Sequence, residues 1–245
     1  MSERFYISQP ITGERVTLDG PEAHHLLHVM RAVSGDRVTL FDNSGSEFEA
    51  VVEKPCRSDA ELRIIERRDT DRELPFQLVV GVALPKGDRQ KWLVEKLTEL
   101  GATTLVPLVT ERSVAQPSGN ALQRLRRAVV EAAKQCGRNR LMNIAEPLSW
   151  NDWIQSAICK PKSEIGGARR LVAHFDSQPL SQTEWSQRIP THVAIGPEGG
   201  FTDAERAAIR ALPQARPVAL GPRILRADTA ALAAIALWMA AAGDW

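Results

Sequence analysis

The hydrophobic pattern of the chain changes at a short charged segment, Arg67–Pro75, and this change limits the folds that are possible. Before the segment, apolar and polar residues alternate in short runs bounded by turn residues, which is typical of β-strands. After it, nearly continuous apolar strands alternate with segments in which apolar residues recur at helical spacing, which indicates a parallel sheet covered by helices. A chain of 245 residues is long enough for two domains. We predict a small β-barrel over residues 1–73 and an α/β domain over residues 74–245.

The individual elements follow from the same periodicities. For the first domain they are a helix-like stretch and three strands: Pro21–Arg31, Arg37–Phe41, Glu47–Val52 and Glu61–Ile65. The strands predicted for the second domain are Phe76–Leu84, Thr104–Val109, Leu171–His174, Thr191–Ile195 and Val218–Leu220. Its predicted helices are Asp88–Leu100, Ala121–Cys136, Thr202–Leu212 and Thr229–Ala242.

Charge is distributed unevenly along the chain, although the formal net charge is only +1. Residues 1–73 contain 10 basic and 15 acidic residues, whereas residues 74–245 contain 21 basic and 15 acidic residues. The basic excess lies in Lys86–Arg140, which has 11 basic and 5 acidic residues. Because anion binding depends on local charge and not on its sum, this stretch predicts a basic surface for a polyanion. A solvated helix face is the alternative interpretation.

Several classes of protein are excluded by composition. The three cysteines, Cys56, Cys136 and Cys159, are too far apart for a C-x-x-C motif, which favours a reducing compartment. The longest apolar run, Thr229–Ala242, has 14 residues, whereas a membrane span needs about 20. The first ten residues lack the apolar stretch of a signal peptide. We therefore expect a cytoplasmic protein with no membrane association.

A histidine pair in the first domain raises the question of a metal site. His24 and His28 are four residues apart, a spacing that zinc ligands on a helix use. No matching set of cysteines or carboxylates accompanies them, and the H-E-x-x-H motif is absent. We predict no metal site.

Two glycine-containing loops carry the strongest functional signal. Ile195–Thr202 (IGPEGGFT) and Leu220–Thr229 (LGPRILRADT) each follow a predicted strand and open a helix. Glycines let a ligand approach the backbone, and a helix N-terminus offers free N–H donors. Neither loop has the spacing of a dinucleotide or triphosphate motif. Because carboxyl ends of parallel strands meet at one edge of a sheet, the two loops predict a common site for another small ligand.

The two loops together resemble the SPOUT class of RNA methyltransferases, specifically the RsmE family of 16S rRNA uridine-N3 methyltransferases. Further matches to the family lie in His25–Arg31 with Gly35 and Asp36, Lys86–Asp88, Thr98–Gly101, Thr110–Ser113 and Glu131–Asn139. One departure is Asp228, where the family usually has glutamate; the shorter carboxylate keeps the charge.

This resemblance implies a PUA-like RNA-binding barrel over residues 1–73 and a SPOUT domain with a deep trefoil knot over residues 74–245. It also implies a cytoplasmic homodimer that acts on 16S rRNA, with or without the rest of the small ribosomal subunit, and binds S-adenosylmethionine. Carried over by position, the cofactor-binding residues are His174, Ile195, Gly196, Pro197, Glu198, Gly199, Leu220, Gly221, Ile224, Leu225 and Thr229.

The chemistry of the reaction suggests roles for further residues. Loss of the uridine N3 proton places negative charge on O2 and O4, and a nearby guanidinium would stabilise it. Arg226 is our candidate for this catalytic role, with an ion pair to Asp228 or Glu198 as the alternative. Glu198 is a candidate general base, or else it orients the loop backbone. The predicted RNA-binding residues are Arg112, Arg138, Asn139 and Arg140.

Two other functions remain open at this stage. One is an RNA-binding module that keeps the fold without methyl transfer. The other is a SPOUT enzyme with a different target, such as a ribose 2′-oxygen or guanine N1.

Overall fold

The computed structural model describes residues 3–115, 119–155, 169–179, 189–211 and 215–242. The chain forms two compact units. The first comprises Met1–Glu73 and Val130–Leu141, and the second comprises Leu74–Val129 and Met142–Trp245. The division after Glu73 lies where the sequence predicts it, but Val130–Leu141 packs with the first unit instead of the second.

The first unit is built on one five-stranded sheet. Its strands are β1 (Arg4–Tyr6), β2 (Arg15–Leu18), β3 (Arg37–Phe41), β4 (Glu47–Pro55) and β5 (Ala60–Arg68), in the order β1-β3-β4-β5-β2. The three predicted strands are confirmed, and β1 and β2 are additional. In β4 the alternation buries Phe48, Ala50 and Val52, which pack in one core with residues of the neighbouring strands. The period of two in the sequence therefore gives the sheet its buried face.

The predicted helix over Pro21–Arg31 is shorter and less regular than expected. Helix α1 covers Gly20–His24 and continues as a π-helix over His25–Val29. The Met30 N–H donates to the His25 carbonyl at 3.0 Å, which is the wider turn of a π-helix. Arg31 then has φ of 58°, and the helix ends at Val29, two residues before the predicted boundary.

The second unit is a parallel sheet with helices, as predicted. Its strands are β6 (Leu78–Val82), β7 (Thr104–Val109), β8 (Asn143–Ile144), β9 (Leu148–Ser149), β10 (Arg169–Pro179), β11 (Thr191–Ile195) and β12 (Ala215–Ala219). They are ordered β12-β10-β11-β6-β7-β8, and β9 pairs with β7. Every residue of β6 and β11 is buried, which explains why the apolar residues of β6 do not alternate with polar ones.

Five helices accompany this sheet in the described residues: α2 (Arg89–Glu99), α3 (Gly119–Cys136), α4 (Trp150–Gln155), α5 (Asp203–Arg210) and α6 (Ala227–Ala242). The four predicted helices are confirmed, while α4, β8 and β9 are additional. Gly101, with φ of 79°, ends α2 as the sequence indicates. Leu212, the predicted end of α5, and Cys159 lie outside the described residues. None of the helices in the described part of the chain has the length and apolar character that a bilayer span requires.

His192 lies within β11 and makes the stability of the protein sensitive to pH. The residue is only 2% exposed, and it pairs in register with Arg170 of β10. Burial, and then the positive charge of Arg170, lower the pKa of His192 from 6.5 to about 4. Between these two values the unfolded chain binds a proton that the folded protein does not bind.

We therefore expect the free energy of unfolding to fall by about 3 kcal/mol from this group as the pH decreases from 6.5 to 4. Urea unfolding at a series of pH values measures the effect. Other groups titrate in the same range, so the comparison is with His192→Gln, which should lose stability less steeply over that window. Equal slopes for the two proteins would contradict the prediction.

Candidate active site

The carboxyl ends of the parallel strands surround one cavity of about 320 Å³. Ala173 of β10 contributes to its wall, and the two glycine loops follow β11 and β12. The cavity is lined by nine of the predicted cofactor residues: Ile195, Gly196, Pro197, Glu198, Gly199, Leu220, Gly221, Ile224 and Leu225. Thr229 is exposed in the first turn of α6 and does not line the cavity, and the side chain of His174 lies outside the described part of β10. The fold thus brings together two loops that are 25 residues apart.

The first glycine loop is fixed by tight packing and by a helix cap. The Gly200 N–H donates to the Pro197 carbonyl at 2.8 Å, which closes a turn that leads into α5. At the N-terminus of this helix, Thr202 Oγ1 accepts from the Glu205 N–H at 3.3 Å, and the Thr202 N–H donates to Glu205 Oε2 at 2.8 Å. The two hydrogen bonds together form a capping box. Gly196 has no room for a side chain, because a Cβ there would lie 2.9 Å from the ring of Phe201.

Replacing Gly196 with alanine should therefore distort this loop. Phe201 is buried against Trp150, so its ring cannot yield freely, and we expect overpacking to cost about 1–3 kcal/mol of stability. Thermal unfolding measures this loss. Gly119→Ala is a matched control, because no atom of the described residues lies within 4 Å of a Cβ at Gly119. If the Gly196→Ala protein is as stable as the control, the loop accommodates the methyl group without strain and the prediction is wrong.

The second glycine loop presents Arg226 immediately before α6. Gly221 takes φ of 111°, which favours glycine, and the Ala230 N–H donates to the Arg226 carbonyl at 2.7 Å as the helix begins. The Arg226 side chain is exposed, and in the described residues it forms no ion pair with Asp228 or Glu198. Asp228, 7% exposed, instead accepts from the Thr229 N–H at 2.9 Å. The alternative interpretation of Arg226 as an ion-pair partner is therefore not what the structure shows.

The loop after β7 brings Arg112 to the same cavity. Its Nη1 donates to the Gly199 carbonyl at 2.7 Å, and the residue lines the cavity beside the first glycine loop. The sequence singles out Arg112 as an RNA contact because it follows a strand. It does not reveal the place of Arg112 in the cavity, which depends on the order of the strands in the sheet. RNA contact by Arg112 stays a prediction.

Basic side chains surround the exposed parts of the glycine loops. Besides Arg112, the cavity is lined by Arg206 and Arg223, neither of which the sequence singles out as a site residue. Glu198 is the acidic residue of the lining; its side chain is 62% exposed and lies 3.9 Å from Arg89. Arg206 is held in an ion pair with Asp203, and its hydrogen bond lowers the pKa of that carboxyl. The local charge of the cavity is therefore positive.

Two of the four predicted RNA contacts are structural residues of the first unit. Arg138 is 4% exposed, and its Nε and Nη2 lie 3.1 and 2.5 Å from the two oxygens of Glu73. Asn139 is 3% exposed, and its Oδ1 accepts from Arg4 Nη2 at 2.5 Å. This corrects the interpretation of both side chains as part of an exposed RNA-binding surface, because their polar atoms are engaged in the fold. Arg140 is exposed, and its contact with RNA stays a prediction.

Comparisons with known proteins agree with this site. Family models match an RNA methyltransferase domain over residues 72–239 and an RNA methyltransferase PUA domain over residues 18–65. A protein of Legionella pneumophila, solved in complex with S-adenosylmethionine, is 27% identical, with a TM-score of 0.88 over 98% of both chains. The fold and the site thus define an RNA methyltransferase with an N-terminal PUA-like domain.

Curated relatives specify the family. Ribosomal RNA small subunit methyltransferase E of Synechocystis sp. is 35% identical over 90% of this chain and 71% of its own length. The protein of the same name from Mycobacterium bovis is 32% identical over 98% and 95%. That of Neisseria gonorrhoeae, solved with bound S-adenosyl methionine, is 29% identical and has a TM-score of 0.85 over 98% of both chains. The chain belongs to the ribosomal RNA small subunit methyltransferase E (RsmE) family, as its motifs predict.

Proposed function

We propose that this protein transfers the methyl group of S-adenosylmethionine to N3 of a uridine in 16S rRNA. The observation that supports this most strongly is the convergence of the two glycine loops on a single cavity with basic side chains beside it. The named relatives methylate small-subunit rRNA, and two related structures contain S-adenosylmethionine.

The cavity suits this cofactor in size and in character. Its volume of about 320 Å³ lies within the range of small-molecule sites. Apolar side chains that include Ile195, Leu220 and Leu225 offer a surface for the adenine ring, and the glycines allow close approach to backbone groups. When bound, the cofactor supplies an electrophilic methyl group on a sulfonium. The residues of the chain then have to position uridine N3 in line with it.

The proton on N3 must leave before or during the transfer. We assign its acceptance to the Glu198 carboxylate, the acidic group of the cavity lining. Negative charge then accumulates on O2 and O4, where the Arg226 guanidinium stabilises it. As the bond from N3 to the methyl carbon forms, the bond from that carbon to sulfur breaks and sulfur keeps its electron pair. The products are 3-methyluridine and S-adenosylhomocysteine, and Glu198 releases its proton to water.

Membership in the family supports three further elements of the proposal. The second unit contains a deep trefoil knot formed around the cofactor loops, and two copies of the chain form a homodimer. The enzyme acts in the cytoplasm, where ribosomal RNA is assembled into subunits. Size measurement by light scattering tests the homodimer, for which a mass near 54 kDa is expected from a chain of 27.0 kDa.

Mapping of modified nucleosides tests the reaction directly. In a strain that lacks this protein, mass spectrometry of 16S rRNA should show the loss of one 3-methyluridine, and the intact gene should restore it. Retention of 3-methyluridine with loss of another methylated nucleoside would favour a ribose or guanine target. If calorimetry detects no binding of S-adenosylmethionine, the protein is a non-catalytic RNA-binding module.

The basic stretch Lys86–Arg140 leads to a prediction about ionic strength. Because each phosphate contact releases counterions, affinity for the RNA substrate should fall steeply as salt increases, roughly tenfold or more between 50 and 200 mM for several contacts. Filter binding over that range measures the slope. A flat profile would show that this stretch does not dock the RNA.

A further inference from the structure

The loop that carries Arg112 is held rigidly by its neighbours. The Thr110 N–H donates to Ser113 Oγ at 2.9 Å, and the Ser113 N–H donates to the Thr110 carbonyl at 3.1 Å. Between them, the Glu111 N–H donates to Glu205 Oε1 at 2.9 Å. Since Glu205 also caps α5, one carboxylate fixes the loop after β7 against the start of that helix. The backbone of Arg112 is therefore set before any ligand arrives.

The guanidinium of Arg112 is set in the same way. Nη1 donates to the Gly199 carbonyl at 2.7 Å, which holds the guanidinium beside the cavity. Both Arg112 and Gly199 are exposed, so this group lies at the mouth of the cavity and not in its interior. A fixed donor at such a position acts without reorganisation when charge develops nearby.

The order of the strands places Arg112 and Arg226 on opposite sides of the first glycine loop. In the sheet, the strands are ordered β12-β10-β11-β6-β7, so β11 lies between β12 and β7. Arg226 belongs to the loop after β12, and Arg112 belongs to the loop after β7. Both loops leave the carboxyl edge of the sheet, and residues on either side of Arg226, Leu225 and Ala227, line the cavity together with Arg112. The loops that carry the two arginines therefore flank the first glycine loop on its two sides.

We propose that Arg112 is a second catalytic guanidinium, and that it and Arg226 each bind one of the two carbonyl oxygens that flank N3 of the target uracil. This inference rests on the proposed function and deepens it. Deprotonation of N3 spreads its charge over O2 and O4, on opposite sides of the nitrogen, so two donors from two directions match the anion. A cation beside the sulfonium is unfavourable in the ground state, and its interaction becomes favourable only as the anion forms.

The same pair of donors determines which base is accepted. The uracil edge presents an acceptor on each side of N3. Cytosine presents an amino donor at position 4, and guanine presents an amino donor beside N1, so each would place a donor against a guanidinium. A donor placed against another donor loses its hydrogen bond and meets a positive charge, which makes such a mismatch effective in discrimination. Arg112 thus accelerates methyl transfer and also selects uracil over cytosine and guanine.

Single-turnover kinetics of Arg112→Gln tests the proposal. With saturating S-adenosylmethionine and small-subunit rRNA, the rate of 3-methyluridine formation should fall by about 10²- to 10³-fold, while the Kd for S-adenosylmethionine stays within about threefold. Arg216→Gln removes the same charge from an exposed position on β12 of the same unit and should leave the rate unchanged. Arg112→Gln replaces an exposed side chain, so folding is preserved.

A chemical readout separates this role from a structural one. In rRNA transcribed with 5-fluorouridine, the N3 proton is more acidic, because fluorine withdraws electrons, and less stabilisation of the anion is needed. The deficit of Arg112→Gln should therefore shrink on this substrate and also as the pH rises. An equal deficit on both substrates would overturn the proposal.

Other results would also reject it. A full rate in Arg112→Gln at saturation, together with weaker binding of S-adenosylmethionine, would mean that Arg112 binds the carboxylate of the cofactor. An unchanged rate with unchanged affinity would remove Arg112 from the site. If the proposed function itself is wrong, the unaltered protein forms no 3-methyluridine. This result differs from every outcome that rejects only the role of Arg112.

Discussion

An Arg226→Ala enzyme should transfer methyl groups about 10²- to 10³-fold more slowly than the unaltered enzyme, and it should bind S-adenosylmethionine equally well. The reason is the place of the residue. Arg226 is exposed between two cavity-lining residues, Leu225 and Ala227, and its own side chain does not contribute to the lining. Its charge is therefore available to the uracil anion and not needed for the walls that hold the cofactor. Single-turnover rates and calorimetry measure the two quantities separately.

The control for this variant removes the same charge from the same unit. Arg216 is exposed in β12, four residues before the second glycine loop begins at Leu220. Arg216→Ala should therefore keep the full rate. If both variants slow the reaction equally, the effect reflects the general charge of this unit. A loss of cofactor affinity in Arg226→Ala alone would instead place the residue in the cofactor site.

The parts of this site that could be predicted are those with local causes. The capping box of Thr202 and Glu205 and the turns at Gly200 and Gly221 are each formed by residues close together in the chain, and the structure contains all of them. The apolar run of β6 likewise reveals a buried strand. Short elements leave no such signal: β8 and β9 have two residues each, too few for any periodicity.

What could not be predicted depends on contacts between distant parts of the chain. Arg112 reaches the cavity because β7 is separated from β11 only by β6, and no local pattern encodes that order. Arg138 follows α3 in a basic stretch, and nothing nearby in the sequence indicates that its partner is Glu73, 65 residues earlier. The residues next to an arginine in the sequence do not reveal whether its side chain is buried. For Arg138 this depends on the distant carboxylate of Glu73.

That buried pair should be essential for the stability of the first unit. Arg138 is 4% exposed and donates from both Nε and Nη2 to the Glu73 carboxylate, whose side chain is 14% exposed. Removing one partner leaves the other charge buried without compensation, so we expect Arg138→Ala to lower the free energy of unfolding by about 3–5 kcal/mol. Urea unfolding measures the loss, with Arg140→Ala as a control at the exposed neighbour, where the change should stay within about 0.5 kcal/mol.

Removing both charges distinguishes desolvation from a general effect of truncation. A double variant, Arg138→Met with Glu73→Leu, replaces the ion pair with apolar groups and leaves no unpaired charge. The attraction between two buried charges is little larger than the free energy needed to remove them from water. The double variant should therefore recover most of the stability that Arg138→Ala loses. If the double variant is as unstable as the single one, the hydrogen bonds of the pair hold Arg138–Leu141 in place and apolar packing does not substitute for them. If Arg138→Ala is as stable as Arg140→Ala, the carboxylate of Glu73 finds water or another partner, and the pair is not structural.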